Sequence, residues 1–225
     1  VVTNPIAKSV LYETGFTYPG HTEFLAALDS DNATPVMMLA NDHLKIVPLT
    51  IHIPLCEVAD HISDETITKT LTIIDEDLKY RFGLRQPRIA VAGLNPHAGE
   101  NGHIGSFEHD RLAPLLIALQ DKGFAITGPH SADSLFHEAA REQYDVVLAM
   151  YHDQALIPVK TLDFHNSVNV TLGLSYIRTS PDHGTAFDIA PQYKARPDSL
   201  IAAVTMAGKM AIQTAGRQRS SLVGQ

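Results

Sequence analysis

The sequence predicts an α/β protein, and three observations carry that prediction. Short apolar stretches bounded by turn residues alternate with longer amphipathic ones. Strands such as Asp145 to Met150 are apolar without alternation, as strands covered on both faces are. Polar, histidine-bearing segments follow the strands directly, where open α/β sheets collect their ligands. Composition agrees, since 225 residues with 44% hydrophobic and 19% charged side chains can bury a sizeable core, which excludes a disordered or fibrous chain.

The elements follow in order. Val1-Val2-Thr3-Asn4-Pro5 reads as the end of a buried strand and a turn, so the chain is expected to be a piece of a longer one. Residues 6 to 14 and 22 to 29 have helical patterning. Pro35 to Ala40 and Leu44 to Thr50 read as strands of a hairpin turning at Asn41-Asp42. From Asp64 to Phe82, Ile67, Leu71, Ile74 and Leu78 recur at helical spacing and Gly83 supplies the stop. Arg88 to Leu94 is a short strand entering the loop Asn95 to His103, and Asp110 to Lys122 is helical, ending at Gly123. A strand is expected at Phe124 to Thr127, a short helix at Ala132 to Arg141, and a buried strand at Asp145 to Met150 running into Tyr151-His152-Asp153-Gln154. Val168 to Leu172 is one more strand. A last helix runs from Asp198 to Thr214, before a mobile polar tail from Arg217. No linker or internal repeat interrupts the chain, so two domains would have to share it in an interwoven way.

Charge and cysteine usage narrow the partners. Lys plus Arg is 17 against 25 for Asp plus Glu, a net −8, with no basic stripe for a nucleic acid. The longest apolar runs fall far short of the ~20 residues a membrane helix needs. A single cysteine, Cys56, allows no internal disulfide, and no secretory signal is recognised, so a cytoplasmic location is expected. Cys56 itself is expected to pack as a small apolar residue at a helix start.

Twelve histidines are the anomaly. His52, His97 and His152 each follow a strand, so the three could converge on one cation, with Asp153 and Asp133 as carboxylate partners. The competing reading is that each is hydrogen-bonded in a loop, and it is preferred for His43, His61, His109, His130, His137 and His165. Lys160, Asn169 and Arg178 offer two cations and an amide to a phosphate or carboxylate. In His183 to Ala190, a permissive Gly184, the Thr185 hydroxyl and Asp188 precede a helical stretch, a setting for a nucleotide's ribose or phosphate. Gly99, Gly102 and Gly105 lack the spacing of a Rossmann fingerprint, and no P-loop is present.

At four motifs the sequence resembles a known family. These are Gly20-His21-Thr22-Glu23-Phe24, Gly93-Leu94-Asn95-Pro96-His97-Ala98-Gly99-Glu100, Tyr151-His152-Asp153-Gln154, and Arg178 to Ala186. They are similar to those of the 4-hydroxythreonine-4-phosphate dehydrogenases of pyridoxal phosphate biosynthesis, in unbroken order from Val1 to about Met210. The resemblance implies a two-domain α/β fold like that of the isocitrate and isopropylmalate dehydrogenases, not a Rossmann fold. Residues 1–30 and 151–225 would belong to the cofactor-binding domain, its N-terminal portion absent, and 31–150 would form the central substrate, metal and dimerisation domain. It further implies a homodimer with active sites at the interface and a divalent metal (zinc, magnesium or cobalt) on His52, His97 and His152, with His152 reaching across from the partner. Substrate residues carried over are His21, Thr22, Lys160, Asn169 and Arg178. His183, Gly184, Thr185 and Asp188 would border NAD or NADP. Two departures stand out: Pro191-Gln192-Tyr193 replaces the usual glycine-containing loop, and Ser175 stands where proline is common.

The implied reaction is oxidation of 4-phosphooxy-L-threonine by NAD(P)+, with decarboxylation to 3-amino-2-oxopropyl phosphate. The metal would lower the pKa of the reacting hydroxyl and stabilise the enolate. No residue is assigned as the base; Lys8 is one candidate, equally readable as a solvated surface lysine. A paralogue oxidising 4-phospho-threonate is the nearest alternative, and a metal-dependent hydrolase is the alternative from another class.

Overall fold

Alternate residues of the central strands go to opposite faces of a sheet, and both faces are apolar, so helices must cover both. The computed structural model describes residues 1–18, 20–29, 33–192 and 194–223, and it has this layered arrangement. Two short helices come first, α1 (Lys8–Tyr12) and α2 (His21–Asp29), then strands β1 (Val36–Ala40) and β2 (Lys45–Pro48). Helices α3 (Val58–His61) and α4 (Asp64–Phe82) lead to β3 (Ile89–Ala92), α5 (Ala113–Gln120), β4 (Ile126–His130), α6 (Glu138–Arg141) and β5 (Val146–Ala149). Then come α7 (His152–Leu162), β6 (Val168–Leu172), β7 (Arg178–Pro181) and α8 (Asp198–Val223).

All seven strands form one mixed sheet in the order β4-β3-β5-β2-β1-β6-β7. The half from β4 to β2 is parallel, and the half from β2 to β7 is antiparallel. Met38, Val47, Val91, Leu148 and Val170 face one side, with Ile67, Leu71, Ile74 and Leu78 of α4, Leu116 of α5 and Ala203 of α8. Leu39, Ile46, Ala90 and Val147 face the other, with Ala155, Leu156 and Val159 of α7. Extended Val1 to Thr3 runs alongside β7, where Thr3 N–H donates to the Thr179 carbonyl and Thr179 N–H to that of Val1.

Helix α4 spans the range its pattern predicts. Ser63 and Thr66 cap its start reciprocally, and Gly83 ends it at φ 75°. The β1–β2 hairpin also forms, its turn closed by Asn41 Oδ1, which accepts from the N–H groups of His43 and Leu44 at 2.9 Å each.

Other expectations are corrected. The helix expected at Asp110 to Lys122 begins as a π turn, Glu108–Leu112. The segment Ala132 to Arg141 is broken into a 3₁₀ turn and α6, because His137 turns extended and caps α6. The strand placed at Phe124 to Thr127 lies at Ile126–His130. The stretch expected as a tail continues α8 to Val223. Cys56 is exposed in a 3₁₀ turn (Leu55–Glu57) rather than packed. Tyr193 lies outside the described residues. No helix among the described residues is long and apolar enough to cross a membrane.

Candidate active site

Parallel pairing sets the exits of β2 and β5 side by side, with Pro48 opposite Ala149. His52 comes four residues after Pro48 and His152 three after Ala149, so both imidazoles emerge at one edge of the sheet. Their ring centroids are 5.9 Å apart. His152 Nδ1 lies 2.7 Å from Asp153 Oδ1, which fixes the proton there and leaves Nε2 with its lone pair free.

These rings line a cavity of about 510 Å³ together with Lys8, His21, Thr22, Lys160 and Asn169. The N-terminus of α2 brings His21 and Thr22, the C-terminal part of α7 brings Lys160, and β6 brings Asn169. Lys160 Nζ is 2.9 Å from Asp182 Oδ2. Asn169 Oδ1 is buried without a hydrogen-bond partner, an acceptor left for a donor in the cavity. Burial, and then the nearby charge of Arg178, hold the His21 imidazole below its usual pKa and hence neutral at pH 7.

Arg178 is not on the cavity wall. It is 4% exposed on β7, donating to Thr171 at 3.0 Å, to Thr22 at 3.4 Å and to Thr3 at 3.0 Å, each time to the hydroxyl. Its Nε has no partner. A guanidinium hydrogen-bonded by three hydroxyls, with the Glu23 carboxylate acting on it only through its charge, is a buried positive charge behind Thr22 that favours an anion in the cavity.

A second cavity of about 380 Å³ shares Asp182, His183 and Gly184 with the first. Phe164, His165, Lys194 and Arg196 also line it. Arg196 Nε contacts Asp198 at 3.0 Å and its Nη1 lies 3.0 Å from His165 Nε2. Of the residues expected around a nucleotide, His183 and Gly184 lie on both walls, whereas Thr185 and Asp188 are exposed and line neither.

His97 stands apart. Its loop leaves β3 on the far side of β5 from β2, and the ring, with its side chain 66% exposed, lies 3.6 Å from Glu100 Oε2. It neighbours the loop after β4, where its charge, added to the hydrogen bond from Ser131, lowers the Asp133 pKa. The fit to a metal is therefore partial within one chain. With metal–nitrogen bonds of ~2.0–2.1 Å, two imidazoles on one tetrahedral ion have ring centroids about 5.2 Å apart; His52 and His152, at 5.9 Å, are somewhat wider. No group of three or more His, Cys, Asp or Glu side chains among the described residues is placed to hold an ion. His152, expected to reach in from a partner, lines the same cavity as His52 within this chain.

Three of the histidines expected to be bonded in loops are bonded locally. His61 pairs with the Glu57 carbonyl, His109 with Asp110 and His130 with Thr127. Glu23 and Asp182 line the first cavity without having been singled out. Both sit inside the quoted motifs, and Asp182 immediately follows a strand, which was the available signal.

Comparison with known proteins gives this geometry its family. Residues 1–207 match the family model described as pyridoxal phosphate biosynthetic protein PdxA. A curated 4-hydroxythreonine-4-phosphate dehydrogenase of Bradyrhizobium diazoefficiens is 57% identical over 214 residues, 94% of this chain and 62% of the relative. That of Methylorubrum populi is 56% identical over 215 residues, again 94% and 62%. The chain thus spans less than two thirds of these relatives' length. The crystal structure of a 4-hydroxythreonine-4-phosphate dehydrogenase from Klebsiella pneumoniae superposes with a TM-score of 0.84 at 44% identity, over 93% of this chain and 64% of the other. With residues 1–207 matched by the family model and relatives more than half identical over nearly all of the chain, the chain belongs to the PdxA family of pyridoxal phosphate biosynthetic proteins.

Proposed function

We propose that this chain forms the substrate-binding part of an NAD(P)-dependent dehydrogenase. It would oxidise the secondary alcohol of 4-phosphooxy-L-threonine, with decarboxylation to 3-amino-2-oxopropyl phosphate. The observation that carries the reading is the cavity in which His52 and His152 face each other beside Lys160 and Asn169. Neutral imidazoles suit a divalent ion, and a lysine, an orphan amide oxygen and a buried guanidinium suit a phosphorylated amino acid. When bound, the ion supplies Lewis acidity and the nicotinamide supplies the hydride acceptor.

The protein's own part is binding and orientation. Lys160, balanced by Asp182 in the free protein, would turn to the anionic group of the substrate. Asn169 Oδ1 would accept from the substrate's ammonium or hydroxyl. Neutral His21 can donate or accept one hydrogen bond without adding charge. Lys8 lies on the wall and remains the candidate for taking the alcohol proton.

The reading includes a homodimer, with the third imidazole donated across the interface. Because His152 already shares a cavity with His52, the ligand that crosses is assigned to His97. It also includes the two-domain, isopropylmalate-dehydrogenase-like arrangement, with residues 1–30 and 151–225 on the cofactor side and 31–150 on the substrate side. The second cavity, bordered by His183 and Gly184 and lined by Lys194 and Arg196, suits the nucleotide. A cytoplasmic site of action fits a biosynthetic dehydrogenase.

The test is an absorbance assay at 340 nm with the purified protein, a divalent ion and NAD+ or NADP+. 4-Phosphooxy-L-threonine should give cofactor reduction, and 4-phospho-threonate a much slower one. Faster reduction with the second substrate would transfer the assignment to the paralogue, and phosphate release without reduction would replace it by a hydrolase.

A further inference from the structure

The loop after β3 is held in an improbable backbone conformation. His97, Ala98, Gly99, Glu100 and Asn101 have φ of 52°, 50°, 77°, 43° and 55°, one left-handed turn in which four of five residues carry a Cβ. Such residues avoid that region individually, so a run of them persists only where its surroundings over-determine it.

The surroundings centre on one side chain that the proposed chemistry does not use. Glu108, at the start of the π turn, is 1% exposed. Its Oε1 accepts the Asn95 backbone N–H at 2.7 Å, and its Oε2 accepts from Asn95 Nδ2 at 3.0 Å. Two glycines close around it. A Cβ on Gly99 would stand 2.7 Å from Oε2, and one on Gly93 would stand 3.1 Å from Oε1. No cation pairs with this carboxylate among the described residues. A buried carboxylate without a counter-charge is retained only where its hydrogen bonds hold something in place. Here both are made to Asn95, which enters the turn that presents His97, while Gly99 in the middle of the turn packs against the same carboxylate.

We propose that Glu108 is a positioning residue which fixes the left-handed turn and thereby sets how tightly His97 takes part in binding a divalent cation. This rests on the reading of His97 as a ligand. Glu108 itself touches neither substrate nor ion.

The test is a double-mutant cycle on Co2+ affinity of the full chain, read by titration calorimetry, with thermal melting alongside. Glu108→Ala should weaken Co2+ binding at least tenfold. Glu108→Gln keeps the volume and an acceptor for the Asn95 N–H, and should stay within about threefold of the parent. In a His97→Ala background, Glu108→Ala should bring no further loss. If its loss persists there undiminished, or if only the melting temperature falls, Glu108 is merely structural and the proposal is overturned. Should Glu108→Ala fail to fold, Asn95→Asp replaces it. That variant sets two carboxylates 3.0 Å apart and should weaken Co2+ as much, again only while His97 is present; parental affinity would overturn the proposal. Parental Co2+ affinity in His97→Ala alone would instead sink the ligand reading beneath it.

Discussion

His52 and His152 are placed in the cavity by one route, and His97, the proposed third ligand, is placed outside it by another. The first two are placed by strand register: β2 and β5 run parallel, Pro48 opposes Ala149, and a few residues more bring both rings to the same edge. The third depends on a local turn of the wrong hand, closed by a buried carboxylate thirteen residues away from Asn95. Register is a property of the whole sheet and tolerates change in any one loop residue. A strained turn depends on a few contacts, so the three proposed ligands rest on unequal foundations within one molecule.

The largest effect should come from the sheet. Leu148 of β5 is fully buried between β2 and β3, and Leu148→Ala should lower unfolding free energy by about 2–5 kcal/mol in urea titrations. It should weaken the His52–His152 pair and the His97 loop together, since both hang from β5 or its neighbour. Gln154→Ala comes next. Its amide accepts from Met150 N–H at 2.7 Å and donates to the Gly93 carbonyl at 2.9 Å, tying the exit of β5 to that of β3. Loss of both should cost about 1–3 kcal/mol. Gly99→Ala separates the two routes. At φ 77° and with Gly105 O at 2.8 Å from the new Cβ, it should cost about 1–3 kcal/mol and alter proteolysis of the 95–105 loop.

The contrast also explains what could be read in advance. Helix α4 was legible because period and stop agree at Leu71 and Gly83, whereas its Ser63 cap appears only in the structure. The hairpin was legible from Asn41, and the strand exits from apolar runs that end in histidine. Helix α7 was hidden because Tyr151-His152-Asp153-Gln154 reads as a loop and Pro158 lies inside the helix. Strand β7, Arg178-Thr179-Ser180-Pro181, is polar yet wholly buried. Its burial comes from α8 and the Thr hydroxyls, which no local pattern announces. The membership of Lys160 and Asn169 in one cavity was open to a chemical reading. The withdrawal of Arg178 behind Thr22, and of His97 from the other rings, depends on long-range packing and on backbone handedness.

A smaller effect concerns His21, which no strand register places. Its imidazole is depressed below 6.5 by burial and by Arg178, so the unfolded chain binds the extra proton first on acidification. Stability should therefore rise with pH across the window between the lowered pKa and 6.5, with no further slope from this group on either side of it. Urea midpoints measured from about pH 5 to 7 should show a shallower slope in His21→Gln. An unchanged slope would remove His21 as the source.

The smallest effect is the most specific to this chain. Helix α2, which carries His21 and Thr22 at its start, is fastened at its end by Ser175, where the resemblance expects proline. Ser175 N–H donates to Asp29 Oδ2 at 2.7 Å, and the hydroxyl donates to Oδ1. Proline would have neither donor. These bonds hold the Asp29 carboxyl below its usual pKa, so their contribution is present above the ordinary carboxylate range and is lost as pH falls through the depressed value. Being exposed, the clamp should be worth no more than about 0.5–1 kcal/mol. Ser175→Pro should therefore lower stability slightly at pH 7 and approach the parent as the pH falls below the depressed Asp29 value. Ser175→Ala, which keeps the N–H, should fall between them. A difference that persisted in acid would assign the loss to backbone geometry at residue 175 rather than to the carboxylate it fastens.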